Sequence, residues 1–134
     1  MSTCAELFIA LLESQNFHYA SKIDDDGDVV VDFPYKGKTF KCFFSGEGGS
    51  YLSLYCVYEN IPEDKLVDVI FLCNELNTKY KWITFYVDHD RDMMLHDDAI
   101  LATENAAQET MELLARCINI GEEIKPLVMK AIYA

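Results

Sequence analysis

The stretch YVDHDRDMML, residues 86–95, holds the side chains of this chain that are best suited to chemistry. Asp88, Asp90 and Asp92 alternate with His89 and Arg91. Closely spaced carboxylates are typical of calcium-binding loops, and an imidazole can bind a metal or transfer a proton. The stretch therefore poses two alternatives: a metal-binding or catalytic loop, and a polar turn between two strands.

A calcium loop of the EF-hand type needs glycine at its sixth position and glutamate at its twelfth. Counted from Asp88, these positions hold Met93 and Ala99, so the pattern fails twice. A second acidic run, DDDGD at 24–28, has its glycine too early and Tyr35 at the twelfth position. Both runs are therefore predicted to be hairpin turns, and no metal or cofactor is assigned to either. Weak cation binding stays an alternative for both.

The remaining reactive side chains form no catalytic pattern. The three histidines lack the HxxxH spacing of metalloproteases, and the glycine-rich run SGEGGS lacks the GK[ST] ending that holds phosphate. The sequence therefore predicts a protein that is not an enzyme, with no catalytic residue. The alternative is a small-molecule- or metal-binding enzyme that uses the acidic hairpin, namely Asp88, His89, Asp90 and Asp92, together with His96 and one cysteine.

Composition limits the class of protein. A chain of 134 residues with 51% apolar side chains is long enough for one folded domain, here residues 1–134. The net charge of -12 argues against a nucleic-acid partner, because a phosphate backbone would be repelled.

The cysteines and the N-terminal segment indicate the cellular compartment of the protein. The five cysteines show no CxxC or CxxH spacing, which indicates reduced thiols. The N-terminal segment MSTCAELFIALLE has no basic leader, and its apolar run is short. It predicts neither a signal peptide nor a membrane span, so we expect a cytoplasmic protein.

The first half of the chain predicts a helix followed by three strands. Thr3 and Glu6 have capping-box spacing, and apolar residues then recur at helical intervals to about Ser14. Runs rich in β-branched and aromatic residues, separated by short turns, follow at 29–33, 38–45 and 51–58. Three strands joined in this way predict an antiparallel meander.

The second half predicts a middle helix, a hairpin and a third helix. NIPED at 60–64 opens the middle helix, and the hairpin of 81–87 with 93–98 places Thr84 opposite His96. The third helix runs from Thr103 until Gly121 stops it, and a short terminal helix begins at Pro126. The order α-β-β-β-α-β-β-α predicts an α+β domain, an antiparallel sheet with helices packed on it.

Two groups of apolar residues are candidates for contact with a partner. Both faces of the third strand are rich in apolar side chains, so one face is free to bind a partner once the helices cover the other. Phe43, Tyr51 and Tyr55 share a strand face, and Val67 and Phe71 widen the apolar stripe of the middle helix. Which face of the sheet is open stays undecided from the sequence.

Two long segments resemble the YbjN-like family of bacterial sensory-transduction regulators. They are NFHYASKIDDDGDVVVDF at 16–33 and IPEDKLVDVIFLCNELNTKYKWITFYVDHDRDMML at 61–95. In the second, an Ile-Pro opens the middle helix, Asn74 and Asn77 end it, and an aromatic strand runs into an aspartate turn. The ending IKPLVMKAIYA is also similar, so the resemblance extends from about Glu6 to Ile132.

The resemblance implies a fold like that of the type III secretion chaperones and a homodimer. It also implies work on another protein or peptide segment, either regulatory or chaperone-like, and it brings no catalytic residues. Fold alone does not establish function. We therefore expect a non-enzymatic, homodimeric protein-binding module with no nucleic-acid or membrane partner.

Overall fold

A six-stranded antiparallel sheet and three helices account for most of residues 2–134, the part of the chain that the computed structural model describes. The helices are α1 (Thr3–Ser14), α2 (Leu66–Lys79) and α3 (Ala106–Tyr133). The strands are β1 (Ala20–Ile23), β2 (Val29–Tyr35), β3 (Lys38–Ser45), β4 (Tyr51–Asn60), β5 (Thr84–Val87) and β6 (Asp92–Ile100). The predicted α+β class with an antiparallel sheet is confirmed.

The strands lie in the order β1-β2-β3-β4-β6-β5, and each neighbouring pair is antiparallel. β2, β3 and β4 form the predicted meander. The hairpin of β5 and β6 has the predicted register, with Thr84 opposite His96 and Val87 opposite Met93. Because side chains alternate across a strand, this register sends Phe85 and Met93 into the core, and both are buried.

The helices cover one face of this sheet. Val31, Cys42, Leu54 and Leu95, from four adjacent strands, point into the helical layer and are at most 1% exposed. Phe8 of α1 reaches the same layer. Within residues 2–134 no helix lies on the opposite face, so that face is the open one.

The first turn of α1 is capped by Ser2, which corrects the predicted Thr3–Glu6 capping box. The Oγ of Ser2 accepts a hydrogen bond from the N–H of Ala5 at 3.1 Å. Ser2 has an extended backbone and packs so tightly on Gly49 that a Cβ there would collide with its hydroxyl. The position of the cap therefore depends on the tertiary contact between Ser2 and Gly49 as well as on local spacing.

β1 is a strand that the sequence pattern did not predict, so the observed order begins α-β-β-β-β. All four of its residues are exposed, and without a buried face they show no apolar alternation. Among the described residues it pairs with β2 alone, with Ala20 opposite Asp32. An edge strand of this kind is recognisable only after its neighbour is in place.

α3 is continuous over Ala106–Tyr133, so the predicted stop at Gly121 and restart at Pro126 are wrong. Gly121 is buried in mid-helix, and a Cβ at that position would lie 3.3 Å from the Tyr58 ring. The Tyr58 hydroxyl donates to the Gly121 carbonyl oxygen. Position 121 is therefore a glycine because the Tyr58 ring packs on the helix there. Tertiary packing also allows the helix to continue past Pro126.

Asn77 joins the end of α2 to the outer edge of β5. Its Nδ2 donates to the Phe85 carbonyl oxygen, and its Oδ1 accepts from the Phe85 N–H, both at 2.8 Å. The side-chain amide thus takes the place of a neighbouring strand for one residue of β5. Asn77, one of the two asparagines in the family resemblance, has a structural task.

Despite the 28 residues of α3, the described helices include none that combines the length and apolar character needed to cross a lipid bilayer.

Candidate partner-binding surfaces

The two acidic runs fold into matching hairpin turns. In DHDRD, the Oδ1 of Asp88 accepts the N–H groups of Asp90 at 3.0 Å and Asp92 at 2.9 Å. In DDDGD, the Oδ1 of Asp24 accepts from the residues two and four positions later, at 3.0 and 2.9 Å. In each turn the first aspartate organises the backbone, so the prediction of polar hairpin turns is confirmed.

The carboxylates of each turn nevertheless lie close together. One ligand atom from each of Asp88, Asp90 and Asp92 falls within 4.8 Å of the others, and the turn at 24–28 has the same arrangement. Burial, followed by the charges of Asp24 and Asp26, raises the pKa of Asp28. Because one oxygen of each leading aspartate already accepts two amides, the geometry is explained without an ion.

The structure separates the groups that a histidine–cysteine mechanism would need. His96 lies on the open face of the sheet, whereas Cys42 and Cys56 lie on the helix-covered face. All five cysteines are free and buried. Burial raises the pKa of Cys42 to about 12 and that of Cys56 to about 11, from 9.0. These thiols stay protonated near neutrality, and no cysteine meets His96.

Four aromatic or imidazole rings form a connected group on the open face, which we call the sheet-face cluster: Phe43, Tyr55, Tyr86 and His96. Phe43 and Tyr55 pack edge to face with centroids 5.6 Å apart. His96 stacks in parallel on Tyr55 at 4.3 Å, and Tyr86 meets it edge-on at 6.5 Å. The cluster spans β3, β4, β6 and β5.

Polar side chains fix the position of the imidazole in this cluster. The Nε2 of His96 lies 2.8 Å from the Oδ1 of Asp98, which also accepts from the Ser53 hydroxyl at 2.7 Å. Burial raises the pKa of Asp98, but the hydrogen bonds from Ser53 and His96 outweigh it and leave the pKa below its usual value. The face therefore presents ordered rings with a charged border.

The predicted contact residues of the sheet lie together on this open face. Phe43 and Tyr55 belong to the sheet-face cluster, and Tyr51 points to the same side farther along β4, where it is 55% exposed and packs on Gly46. Tyr86 and His96 were not predicted from the sequence as contact residues, although His96 belonged to the alternative enzyme site. The predicted pairing of Thr84 with His96 already placed both on this face, because they alternate with the buried Phe85 and Leu95.

A second apolar surface runs along α2, and we call it the α2 stripe: Val67, Ile70 and Phe71. These residues are 64%, 49% and 66% exposed. Val69 and Cys73, on the inner side, are buried. Ile70 is not among the contact residues predicted from the sequence. The intervals of three and four residues from Val67 place it on the outer face.

The matching family model covers residues 5–125 and is described as "Putative bacterial sensory transduction regulator", YbjN. A search of curated proteins finds no match. Among solved structures, the chain is similar to a chain of the "Crystal Structure of the ExsC-ExsE Complex", at 14% identity and a TM-score of 0.49. That alignment covers 95% of this chain and 96% of the other. Since the family model matches well over half of its length, the chain belongs to the YbjN family.

Proposed function

We propose that this protein is a non-enzymatic, homodimeric protein-binding module of the cytoplasm, with a regulatory or chaperone-like role. The observation that carries the proposal is the α2 stripe, because three large apolar side chains on one helix are left in water. Contiguous exposed apolar surface of this kind marks a contact site. The family membership supports a regulatory role, and the five buried, unpaired thiols fit a reducing compartment.

The α2 stripe suits a contact between two copies. A two-fold interface places the same patch on both sides, so an apolar stripe would bury itself against its own copy. Val67 and Phe71 lie one turn apart, and Ile70 lies beside them. Together they form a ridge of side chains, which can pack into the groove of a second helix. A stable interface buries roughly 800 Å² on each partner. The helix and its flanking loops therefore belong to it.

The sheet-face cluster suits another protein. Aromatic side chains of the Tyr and Phe type are enriched at protein contacts, since they combine large apolar area with polar edges. Its rings already contact one another, so little side-chain entropy is lost when a partner covers them. Two separate surfaces allow one to hold the dimer while the other holds the partner.

The variants Phe71→Glu and Val57→Glu test this division. Val57 is 50% exposed on the open face, so each change puts an acid on an exposed apolar site. Size-exclusion chromatography with light scattering at about 10–50 µM, a range above the dissociation constants of many specific complexes, is expected to show a dimer. We expect Phe71→Glu to be monomeric and Val57→Glu to remain dimeric.

The same two variants test partner binding by pull-down from a bacterial lysate. We expect Val57→Glu to lose proteins that the unaltered chain retains, because it puts a charge beside the aromatic rings. A strictly monomeric unaltered chain would overturn the dimer. Retention of the same proteins by Val57→Glu would remove the open face from the binding function.

A further inference from the structure

β6 is longer than the edge strand that pairs with it. Its residues 93–96 pair with β5, whereas Asp97–Ile100 extend beyond the first residue of that strand, Thr84. On the other side the whole extension is paired with β4, from Leu54 to Tyr51. Four residues of β6 therefore form a second, short edge of the sheet, about 13 Å long at the rise of a strand.

The direction of the backbone groups on this edge follows from β5. The N–H and C=O of Phe85 both bond to Asn77, so they face away from β6. In an antiparallel ladder the backbone groups of the flanking residues Thr84 and Tyr86 must then point toward β6. The backbone groups of their partners, His96 and Met94, point toward β5 in return. Even-numbered residues of β6 therefore direct their backbone groups toward the β5 side.

Asp98 and Ile100 continue this alternation where β5 is absent. The Asp98 N–H is bonded to the carboxylate of Asp97, at 2.8 Å, in place of a strand carbonyl. Leu101, an odd-numbered residue, donates its N–H to Ser50 on the β4 side, as the alternation requires. The N–H of Ile100 thus points to the vacant side of the sheet, and its side chain is 81% exposed.

A cavity of about 380 Å³ lies beside this edge, and the acidic residues that line it outnumber the two basic ones, Lys81 and Arg116. Asp97 and Asp98 line it from β6, and Glu109 and Glu112 line it from α3. Trp82, 53% exposed, forms another wall. The carboxylates of Asp97, Glu109 and Glu112 thus flank a space that an added strand would enter, while the carboxylate of Asp98 bonds to Ser53 and His96 on the open face.

Arg116, one of the two basic residues that line the cavity, shows how its walls bind a guanidinium. The guanidinium of Arg116 lies 4.9 Å from the centre of the Trp82 ring and bonds to Glu112 at 3.0 Å. An indole face flanked by carboxylates is a favourable place for a guanidinium. Burial raises the pKa of Asp97, and a cation beside it would oppose that shift.

We propose that the β6 extension and its cavity bind an extended, basic segment of a partner protein, which adds as a strand in line with β5. This inference rests on the proposed protein-binding function and names the chemistry of one partner segment. Main-chain hydrogen bonds to the Asp98 carbonyl oxygen and to the N–H and carbonyl of Ile100 hold the segment, and its Arg or Lys side chains face Asp97, Glu109 and Glu112. A second copy is disfavoured, since edge-to-edge pairing would bring Asp97 and Asp98 of both copies together.

Trp82 is the single tryptophan, so its fluorescence reports on this cavity alone. The probe is the peptide acetyl-TVRVRVT-amide, which has no tryptophan or tyrosine. We expect a saturable change in emission that weakens when ionic strength rises from about 0.05 M to about 0.5 M. The peptide acetyl-TVEVEVT-amide, and the arginine peptide with every backbone amide methylated, are expected to give no saturable change.

Ile100→Pro and Ile100→Ala form a matched pair on the protein side. Both remove the exposed side chain, but only proline removes the N–H that faces the vacant edge, and no ladder bond to β4 is lost. We expect Ile100→Ala to bind the arginine peptide as before and Ile100→Pro to bind at least about tenfold more weakly, a loss of roughly 1.4 kcal/mol.

Asp97→Asn is a second variant that keeps the shape of the side chain, and we expect it to weaken binding about fivefold. Equal binding of the arginine and glutamate peptides would overturn the proposal, as would unchanged emission of Trp82 or full binding by the methylated peptide. If lysate partners are retained by the unaltered chain while the arginine peptide does not bind, this inference fails and the protein-binding function stands. Loss of both would reject the two together.

Discussion

At the scale of single residues, the acidic turns show how similar sequences reach one geometry with different amounts of strain. Gly27 and Arg91 occupy the same place in their turns, and both have a positive φ, 85° and 60°. Each donates its N–H to the carbonyl of the leading aspartate, at 3.0 Å. Glycine adopts this conformation without steric cost, whereas arginine does not. The turn at 88–92 therefore stores strain that the turn at 24–28 lacks.

Arg91→Gly is accordingly expected to stabilise the protein by about 1 kcal/mol, through relief of the left-handed backbone. The Nε of Arg91 is also buried and has no hydrogen-bond partner within residues 2–134. The Nη1 of Arg91 lies 3.7 Å from the Glu63 carboxylate, and this partly exposed contact contributes little. Urea denaturation followed by circular dichroism gives the change in the free energy of unfolding.

The matched control for this substitution is Gly27→Ala. A Cβ at Gly27 would meet nothing within 4 Å, so backbone strain alone acts there. We expect a loss of about 1 kcal/mol, the reverse of the change at Arg91. A destabilised Arg91→Gly protein would mean that the guanidinium contacts outweigh the strain.

At the scale of secondary-structure elements, the two edges of the sheet are treated differently. β1 has a partner only in β2 and is fully exposed. β5 is attached to α2 through Asn77, whose amide satisfies the outward N–H and C=O of Phe85. A side chain that mimics a strand blocks further pairing at that point. The β5 edge is therefore closed at Phe85, while the extension of β6 beyond it stays open.

Asn77→Ala is expected to destabilise the fold by about 1–2 kcal/mol, because two hydrogen bonds to the backbone are lost. Asn74→Ala is the control: it lies one turn earlier on the same helix, and its side chain makes no hydrogen bond within residues 2–134. Replacing it by alanine should be neutral or slightly stabilising, since alanine has the higher helix propensity. Chemical denaturation of both variants measures the difference, and equal losses would contradict the role of Asn77.

At the scale of the whole molecule, one-sided packing produces both the core and the exposed apolar surfaces. All five thiols lie in the core between the sheet and the helices. The same arrangement leaves the open face, the α2 stripe and the β6 extension in water. A dimer and a partner segment would cover what the helices do not, so the exposed surfaces follow from the way in which the layers are stacked.

The buried thiols predict how stability depends on pH. Burial raises the pKa of Cys42 to about 12 and that of Cys73 to about 11, while an unfolded thiol has its ordinary value of 9.0. Because the pKa of each thiol is higher in the folded state, the unfolded chain ionises first as the pH rises. The contribution of these thiols to stability is therefore complete below pH 9 and is lost between about pH 9 and 12. The urea concentration at the midpoint of unfolding, measured at pH 7, 9 and 10.5, should be lower at pH 10.5 than at pH 9.

Thiol reactivity at pH 8 provides an independent check of this burial. The native protein should not react with a thiol reagent, whereas the urea-unfolded protein should expose all five cysteines. Rapid labelling of the native state would show that the core opens, and it would remove the basis for the expected pH dependence.

The sequence by itself determined the features that depend on near neighbours. Alternation and turn residues were enough to predict the meander and the pairing of Thr84 with His96. They also predicted correctly that Asp88 belongs to a polar turn. Most of the candidate contact residues lie on β4 and α2, where their direction could be predicted because side-chain direction follows from strand and helix periods.

Only the tertiary structure decided the rest, because it depends on contacts between distant parts of the chain. Gly121 and Pro126 read locally as a stop and a restart, and packing of Tyr58 on the helix overrides both. β1 has no buried face to mark it, so only β2 defines it. Which face of the sheet stays open, and how far β6 extends past β5, follow from where helices and strands end in space, and no local pattern of residues encodes that.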